Sequence, residues 1–94
     1  MTSITYQVDS PAKPPITGEI IWAASEYFGE LTGRTYSLGE MEATKINQIT
    51  DLSPVAKLLL SAVAGAIIQH LLDQNLSADQ IFAYGTFQVI EKSN

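Results

Sequence analysis

The chain has 94 residues, with 10 acidic and 5 basic side chains and no cysteine, which gives a net charge of −5. A chain of this length forms one domain with a modest core, so residues 1–94 are expected to fold as a single unit. The absence of cysteine excludes disulfides, thiolate metal ligands and thiol catalysis.

Charge and the N-terminal sequence bear on partners and compartment. The basic residues are scattered singly along the chain: Lys13, Arg34, Lys45, Lys57 and Lys92. They cannot form a phosphate-binding patch, so nucleic acid is not expected as a partner. The acidic balance disfavours an anionic membrane surface. Met1 to Val8 lacks the basic and apolar regions of a secretory signal, and we expect a cytoplasmic location.

Residues 1–15 are predicted to form a strand followed by a connector. Ile4 to Val8 alternates apolar and polar residues with a period of two, as a half-buried strand does. Pro11, Pro14 and Pro15 then remove backbone donors and favour extended conformations. This segment is therefore expected to be a stiff linker.

From residue 16 the apolar spacing predicts a helical body. One side of a helix would carry Ile16, Ile20, Ala24, Tyr27, Phe28 and Leu31. With Thr17 as cap and Gly33 as left-handed stop, a first helix is predicted at about residues 18–32. Ser37 and Glu40 form a capping-box pattern, which predicts a second helix to about Ile49.

The third predicted helix is the centre of the fold. Ser53 followed by Pro54 is a strong helix start, and Asn75 is a plausible left-handed stop, which gives residues 54–74. Apolar residues occupy nearly its whole circumference, so it must be covered on all sides. Its longest apolar run, Leu58 to Ile68, is eleven residues and short of a bilayer span, which indicates a core helix.

The C-terminal part is predicted as a short helix and a strand. Ser77 and Gln80 open a helix that ends at Gly85, and Thr86 to Ile90 reads as a strand. Residues 5–8 and 86–89 share the pattern Thr, aromatic, Gln, Val, either by coincidence or because the two ends pair. The predicted fold is mainly α, with three shorter helices around residues 54–74 and a minor β element from the termini.

Two surfaces are candidates for protein interaction. Leu59, Val63, Ala66 and His70 follow a four-three-four spacing on the central helix, which indicates either a homodimer seam or packing within the chain. On the predicted first helix, Trp22 lies among the small residues Gly18, Ser25 and Gly29. Glycine is unfavourable inside a helix, so this face is either a docking site anchored by Trp22 or is covered by the terminal strands.

The same predicted helix carries an acidic face. Glu19, Glu26 and Glu30 lie at spacings of seven and four. Such a stripe is usually solvated, and the functional alternatives are a weak divalent-cation site or a docking face for a basic protein.

Catalysis is not expected. His70 is the only histidine, and Asp73 lies three residues further on, within reach of its ring. No nucleophile or second metal ligand can be assigned to it, so we interpret it as a core or interface residue and expect neither metal nor cofactor.

The predicted function is a non-catalytic protein-interaction or regulatory module, homodimeric, with an unknown protein partner. An acidic inhibitor or mimic that docks on a basic protein is the alternative, and an enzyme or metal carrier centred on His70 is a third hypothesis.

Overall fold

A four-stranded antiparallel sheet with helices on one side forms the frame of the protein in the computed structural model. The structure describes residues 1–11, 14–23 and 25–91. Lys13, Ala24 and Lys92, which the sequence analysis named, lie outside the described residues, as does part of the proline-rich connector.

The strands are β1 (Thr2–Val8), β2 (Ile16–Trp22), β3 (Thr35–Ser37) and β4 (Gly85–Glu91), and the sheet order is β2-β1-β4-β3. The helices are α1 (Ala43–Asn47), α2 (Pro54–Asp73) and α3 (Ala78–Tyr84), and two short 3₁₀ helices span Glu26–Glu30 and Leu38–Glu40.

The two terminal strands lie side by side at the centre of the sheet. Ile4 pairs with Val89 and Tyr6 with Phe87 in the antiparallel β1–β4 ladder. Of the two explanations left open for the shared pattern of residues 5–8 and 86–89, the structure shows the pairing of the two ends. The predicted fold class is wrong, however, because the described residues are 27% strand and 45% helix and the four-stranded sheet is a major element rather than a minor one.

Residues 16–22 form a strand, so the predicted helix at residues 18–32 is wrong. Strand β2 pairs along its whole length with β1, from Thr2 with Trp22 to Val8 with Ile16. Ile16, Ile20 and Trp22 also fit a period of two, and β-branched and aromatic residues favour a strand. The apolar spacing of residues 16–22 fits both the helical period of 3.6 and the strand period of two. Hydrogen bonding to the edge of β1 selects the strand.

The rest of the predicted first and second helices is broken into shorter pieces. Ser25 caps the 3₁₀ helix Glu26–Glu30 by accepting a hydrogen bond from the Tyr27 amide at 3.3 Å. The Ser37 side chain makes no capping hydrogen bond, and the predicted helix to Ile49 is a 3₁₀ turn followed by α1. Gly33 takes the positive φ that was predicted, 86°.

Helix α2 has the predicted bounds. The Ser53 hydroxyl accepts a hydrogen bond from the Ala56 amide at 3.2 Å, and Asn75 has a φ of 67° just beyond the helix. The side of α2 that faces the sheet is buried in one core cluster with residues of β1 and β4: Ala56, Leu60, Val63, Ala64, Ile67 and Leu71. The chain therefore covers one side of α2, and the expectation of three helices around it is wrong.

Candidate interaction surface

The side of α2 turned away from the sheet is exposed and largely apolar. We define this outer face by residues three or four positions apart: Val55, Leu58, Ser61, Ala62, Gly65, Gln69 and Leu72. Leu58 is 73% exposed, Val55 45% and Leu72 42%. A helix that packs on one side of a sheet normally carries polar residues on its outer side. The outer face of α2 therefore departs from the pattern of a helix in contact with water.

The length and composition of α2 alone would also suit a membrane span. It has 20 residues and a mean hydropathy of 1.8, and a third (33%) of its most apolar window is buried in the protein. The core helix of a soluble protein can have the same length and hydropathy. The distinguishing feature of α2 is that one side forms a core with the sheet, while none of the residues that the structure describes covers the opposite side.

A groove adjoins the first half of the outer face. It has a volume of about 620 Å³ and lies between α1 and α2. Its lining comes from Ala43, Ile46 and Asn47 of α1 and from Pro54, Lys57, Leu58 and Ser61 of α2. Lys57 Nζ donates to the Asn47 carbonyl at 3.2 Å. Because Leu58 and Ser61 belong to both, the groove and the outer face form one continuous surface.

Gly65 lies in the middle of the outer face, and none of the described residues packs against it. A Cβ atom placed on it would meet no atom within 4 Å. At Gly18, by contrast, a Cβ atom would overlap the Tyr6 ring. Glycine in a helix interior costs about 1 kcal/mol relative to alanine. The exposed centre of α2 therefore carries a residue that is unfavourable in a helix and that no described neighbour requires.

The predicted seam of Leu59, Val63, Ala66 and His70 lies to one side of this surface. Val63 is fully buried, Leu59 and Ala66 are half-buried, and His70 is exposed. The exposed seam starts one residue earlier and keeps the spacing of four and three: Leu58, Ala62, Gly65, Gln69 and Leu72. Sequence reasoning missed it because α2 is similarly apolar on both sides, and only the position of the sheet decides which side is buried.

Trp22 and its small neighbours do not share a helical face. Trp22 is half-buried at the end of β2, and its ring meets the Phe28 ring edge-on with a centroid distance of 6.2 Å. Gly18 lies in β2, as Trp22 does, and contacts the Tyr6 ring of the neighbouring strand β1. Ser25 and Gly29 belong instead to the 3₁₀ helix and its cap. The tryptophan therefore packs inside the fold.

The three predicted acidic residues are also separated. Glu19, on β2, accepts a hydrogen bond from the Ser3 hydroxyl at 2.6 Å on the side of the sheet away from the helices. Glu26 is exposed, and the Glu30 carboxylate accepts from the Ser53 amide and hydroxyl at 3.0 and 2.8 Å. The single acidic helix face does not exist. Across the described parts of the chain, no three His, Asp or Glu side chains group to hold a metal ion.

His70 lies beside a tyrosine. The Tyr6 hydroxyl is 3.5 Å from His70 Nδ1, and the two rings are edge-on with centroids 6.3 Å apart. Asp73 Oδ1 accepts instead from Gln69 Nε2, at 3.0 Å. The neighbour of His70 is therefore a phenol and not the carboxylate that the sequence suggested.

Asp51 and Tyr36, whose pKa values are shifted, lie away from the outer face of α2. The hydrogen bond from Arg34 lowers the pKa of the exposed Asp51 carboxyl below its usual value of 3.8. Burial raises the pKa of Tyr36 above 10.0, with the Arg34 charge acting in the opposite direction. Both groups belong to the structural frame.

The fold and this surface define a two-layer α+β protein with one uncovered apolar helix face. No family model, curated protein or solved structure matches the chain.

Proposed function

We propose that the protein is a non-catalytic, cytoplasmic protein-interaction module that docks a partner on the outer face of α2 and the adjoining groove. The exposure of Leu58, Val55 and Leu72 along one line of the helix carries the proposal. Contiguous exposed apolar surface marks interaction sites in soluble proteins. Burial of a whole leucine side chain contributes about 1.5–3 kcal/mol, so Leu58 alone would contribute roughly 1–2 kcal/mol to docking.

The composition of the surface supports a protein as the partner. The Ser61 hydroxyl and the Gln69 carbonyl oxygen lie among the apolar residues and need hydrogen-bond partners when covered, which another polypeptide supplies and lipid chains do not. The net charge of −5 also opposes an anionic bilayer. Glu19 lies on β2, whereas Glu26 and Glu30 lie in the 3₁₀ helix, so the acidic-mimic alternative has less support than the apolar face.

Site-specific photocrosslinking tests the proposal. A photoreactive phenylalanine analogue replaces Ala62 on the outer face, and in a matched control it replaces Thr17, which is exposed on the opposite side of the sheet. Each protein is irradiated with an extract of its native cell and, separately, with anionic vesicles. We expect protein adducts from position 62 that disappear when Leu58 is also changed to Glu. Equal adducts from both positions, or lipid adducts alone from position 62, would contradict the proposal.

A further inference from the structure

We infer that the occupant of the outer face is a second copy of this chain, with the two α2 helices antiparallel and a two-fold axis at Gly65. The inference rests on the proposed function and names its partner. A two-fold interface is made of one surface that complements itself, so a residue before Gly65 in one copy must suit the residue equally far after Gly65 in the other.

The sizes of the side chains meet this condition. Before Gly65 the outer face carries the small Ser61 and Ala62, and after it come the half-buried Ile68 and the larger Gln69. Antiparallel helices place each small pair against the larger pair of the other copy, and Leu58 against Leu72. A parallel pair would instead set small against small and large against large, leaving voids and overlaps.

Gly65 lies at the point where the two helices would cross. The distance between packed helices, 8–10 Å between axes, depends on the side chains at the contact. A glycine from each copy allows the closest approach, and the space around Gly65 is open. Close approach of the two helices would explain why position 65 is a glycine, although no described residue of the single chain packs against it.

The charges on α2 favour the antiparallel orientation. Apart from His70 in the last turn, its acidic and basic residues are Lys57 near the start and Asp73 at the end, eight positions on either side of Gly65. Both have the sign that the helix dipole disfavours at that end of a single helix. In the antiparallel pair Lys57 of each copy lies at the same height as Asp73 of the other but on the opposite flank of the contact, so the two charges attract at a distance of roughly 10 Å without forming an ion pair, and opposite helix ends adjoin. In a parallel pair like charges would lie level.

The available area sets the extent of the contact. A helix of 20 residues is about 30 Å long and its outer strip about 10 Å wide, which gives roughly 300 Å² per copy. Stable dimers bury about 800 Å² per partner, so the groove between α1 and α2 must be covered as well. The broad side of the molecule measures 38 × 34 Å and offers that area. In the antiparallel register the groove lies opposite Leu72 of the second copy.

Cysteine cross-linking tests the register, because the chain has no cysteine of its own. We expect a dimeric disulfide from Gly65→Cys and from the double variant Leu58→Cys with Leu72→Cys. Leu58→Cys alone should stay unlinked, since the two copies of that position would be 14 residues, or about 21 Å, apart along the helices. Thr17→Cys is the control. A strong cross-link from Leu58→Cys alone would show a parallel pair and overturn the inference.

Charge exchange tests the orientation by a second route. Lys57→Glu and Asp73→Lys should each raise the dimer Kd about two-fold at low salt, and the two together should restore the parent value. Light scattering over a dilution series measures Kd, and circular dichroism confirms that each variant folds. Single and double variants with equal Kd values would contradict the antiparallel pair.

The two proposals fail in different ways. A chain that stays monomeric at every concentration, while position 62 still forms adducts of other mass, overturns the second copy as occupant and leaves the interaction module standing. A monomeric chain without specific adducts from position 62 ends both.

Discussion

The carboxylate of Glu30 accepts hydrogen bonds from both the amide and the hydroxyl of Ser53, at 3.0 and 2.8 Å. The Ser53 hydroxyl in turn accepts from the Ala56 amide in the first turn of α2. A residue of the 3₁₀ helix therefore holds the capping residue of the longest helix. The arrangement accounts for Glu30 structurally, because both of its carboxylate oxygens bind Ser53.

Removal of this link should destabilise the fold. Ser53→Ala loses the cap and should lower the free energy of unfolding by about 1 kcal/mol. Glu30→Gln keeps the shape but weakens two charge-assisted hydrogen bonds, and should cost about 0.5–1.5 kcal/mol. Urea denaturation measures both. Glu26→Gln, exposed in the same 3₁₀ helix, is the control, and a loss in that variant equal to that in Glu30→Gln would contradict the prediction.

Gly18→Ala should destabilise the sheet. The new methyl group would overlap the Tyr6 ring, which is buried and lies between Gly18 and His70. Forced displacement of a packed ring costs about 1–3 kcal/mol. Thermal denaturation measures the loss, and in NMR spectra the His70 ring signals should shift because Tyr6 moves. An alanine variant as stable as the parent, with unchanged His70 signals, would show that the ring does not pack on Gly18.

Gly65→Ala should stabilise the single chain, whereas Gly18→Ala should destabilise it. The added methyl group enters open space and improves helix propensity, so the monomer should gain about 0.5–1 kcal/mol. The same methyl group would separate the two helices at the axis of the proposed dimer and weaken self-association. Denaturation at low protein concentration and light scattering at high concentration measure the two effects separately. A variant that dimerises more tightly than the parent would contradict the close approach at Gly65.

Tyr36 should give the fold a pH dependence in alkali. Its buried hydroxyl donates to the Leu31 carbonyl at 2.7 Å, and burial raises its pKa above the ordinary 10.0. A raised folded-state pKa means that the protonated form stabilises the fold below pH 10 and that this contribution is lost as the pH rises through the folded-state pKa.

Tyr36→Phe separates this contribution from that of the other tyrosines. The variant should be about 1 kcal/mol less stable at pH 7, because the Leu31 carbonyl loses its donor. Its stability should then fall less steeply than that of the parent above pH 10. Urea midpoints between pH 7 and pH 11 measure both effects. Parallel curves for parent and variant would show that Tyr36 does not titrate with unfolding.

Local signals predicted α2 and its neighbours well. Ser53, Pro54 and Asn75 act within one turn of the helix ends, and the bounds that they indicate are the observed ones. Gly85 likewise ends α3 as predicted. Such signals depend on a residue's own backbone and need no information about distant parts of the chain.

The errors concern choices that tertiary contacts make. Ile16 to Trp22 fits both a helix and a strand, and pairing with β1 selects the strand. The exposed seam on α2 differs by one residue from the predicted one because the sheet could have covered either apolar side. The likeness of residues 5–8 and 86–89 was informative, since the two segments are neighbouring strands.

The pairing of β1 with β4 also has a consequence for biosynthesis. The first strand made has its central neighbour in the last strand made, so the ladder of Ile4 and Val89 closes only after the whole intervening chain has left the ribosome. Until then only β1 and β2 can pair, and the apolar residues of α2 that pack against β4 in the finished fold stay exposed to solvent. Contacts this distant in sequence slow folding relative to helical bundles of equal size, so we expect the nascent chain to be more prone to aggregation than such a bundle.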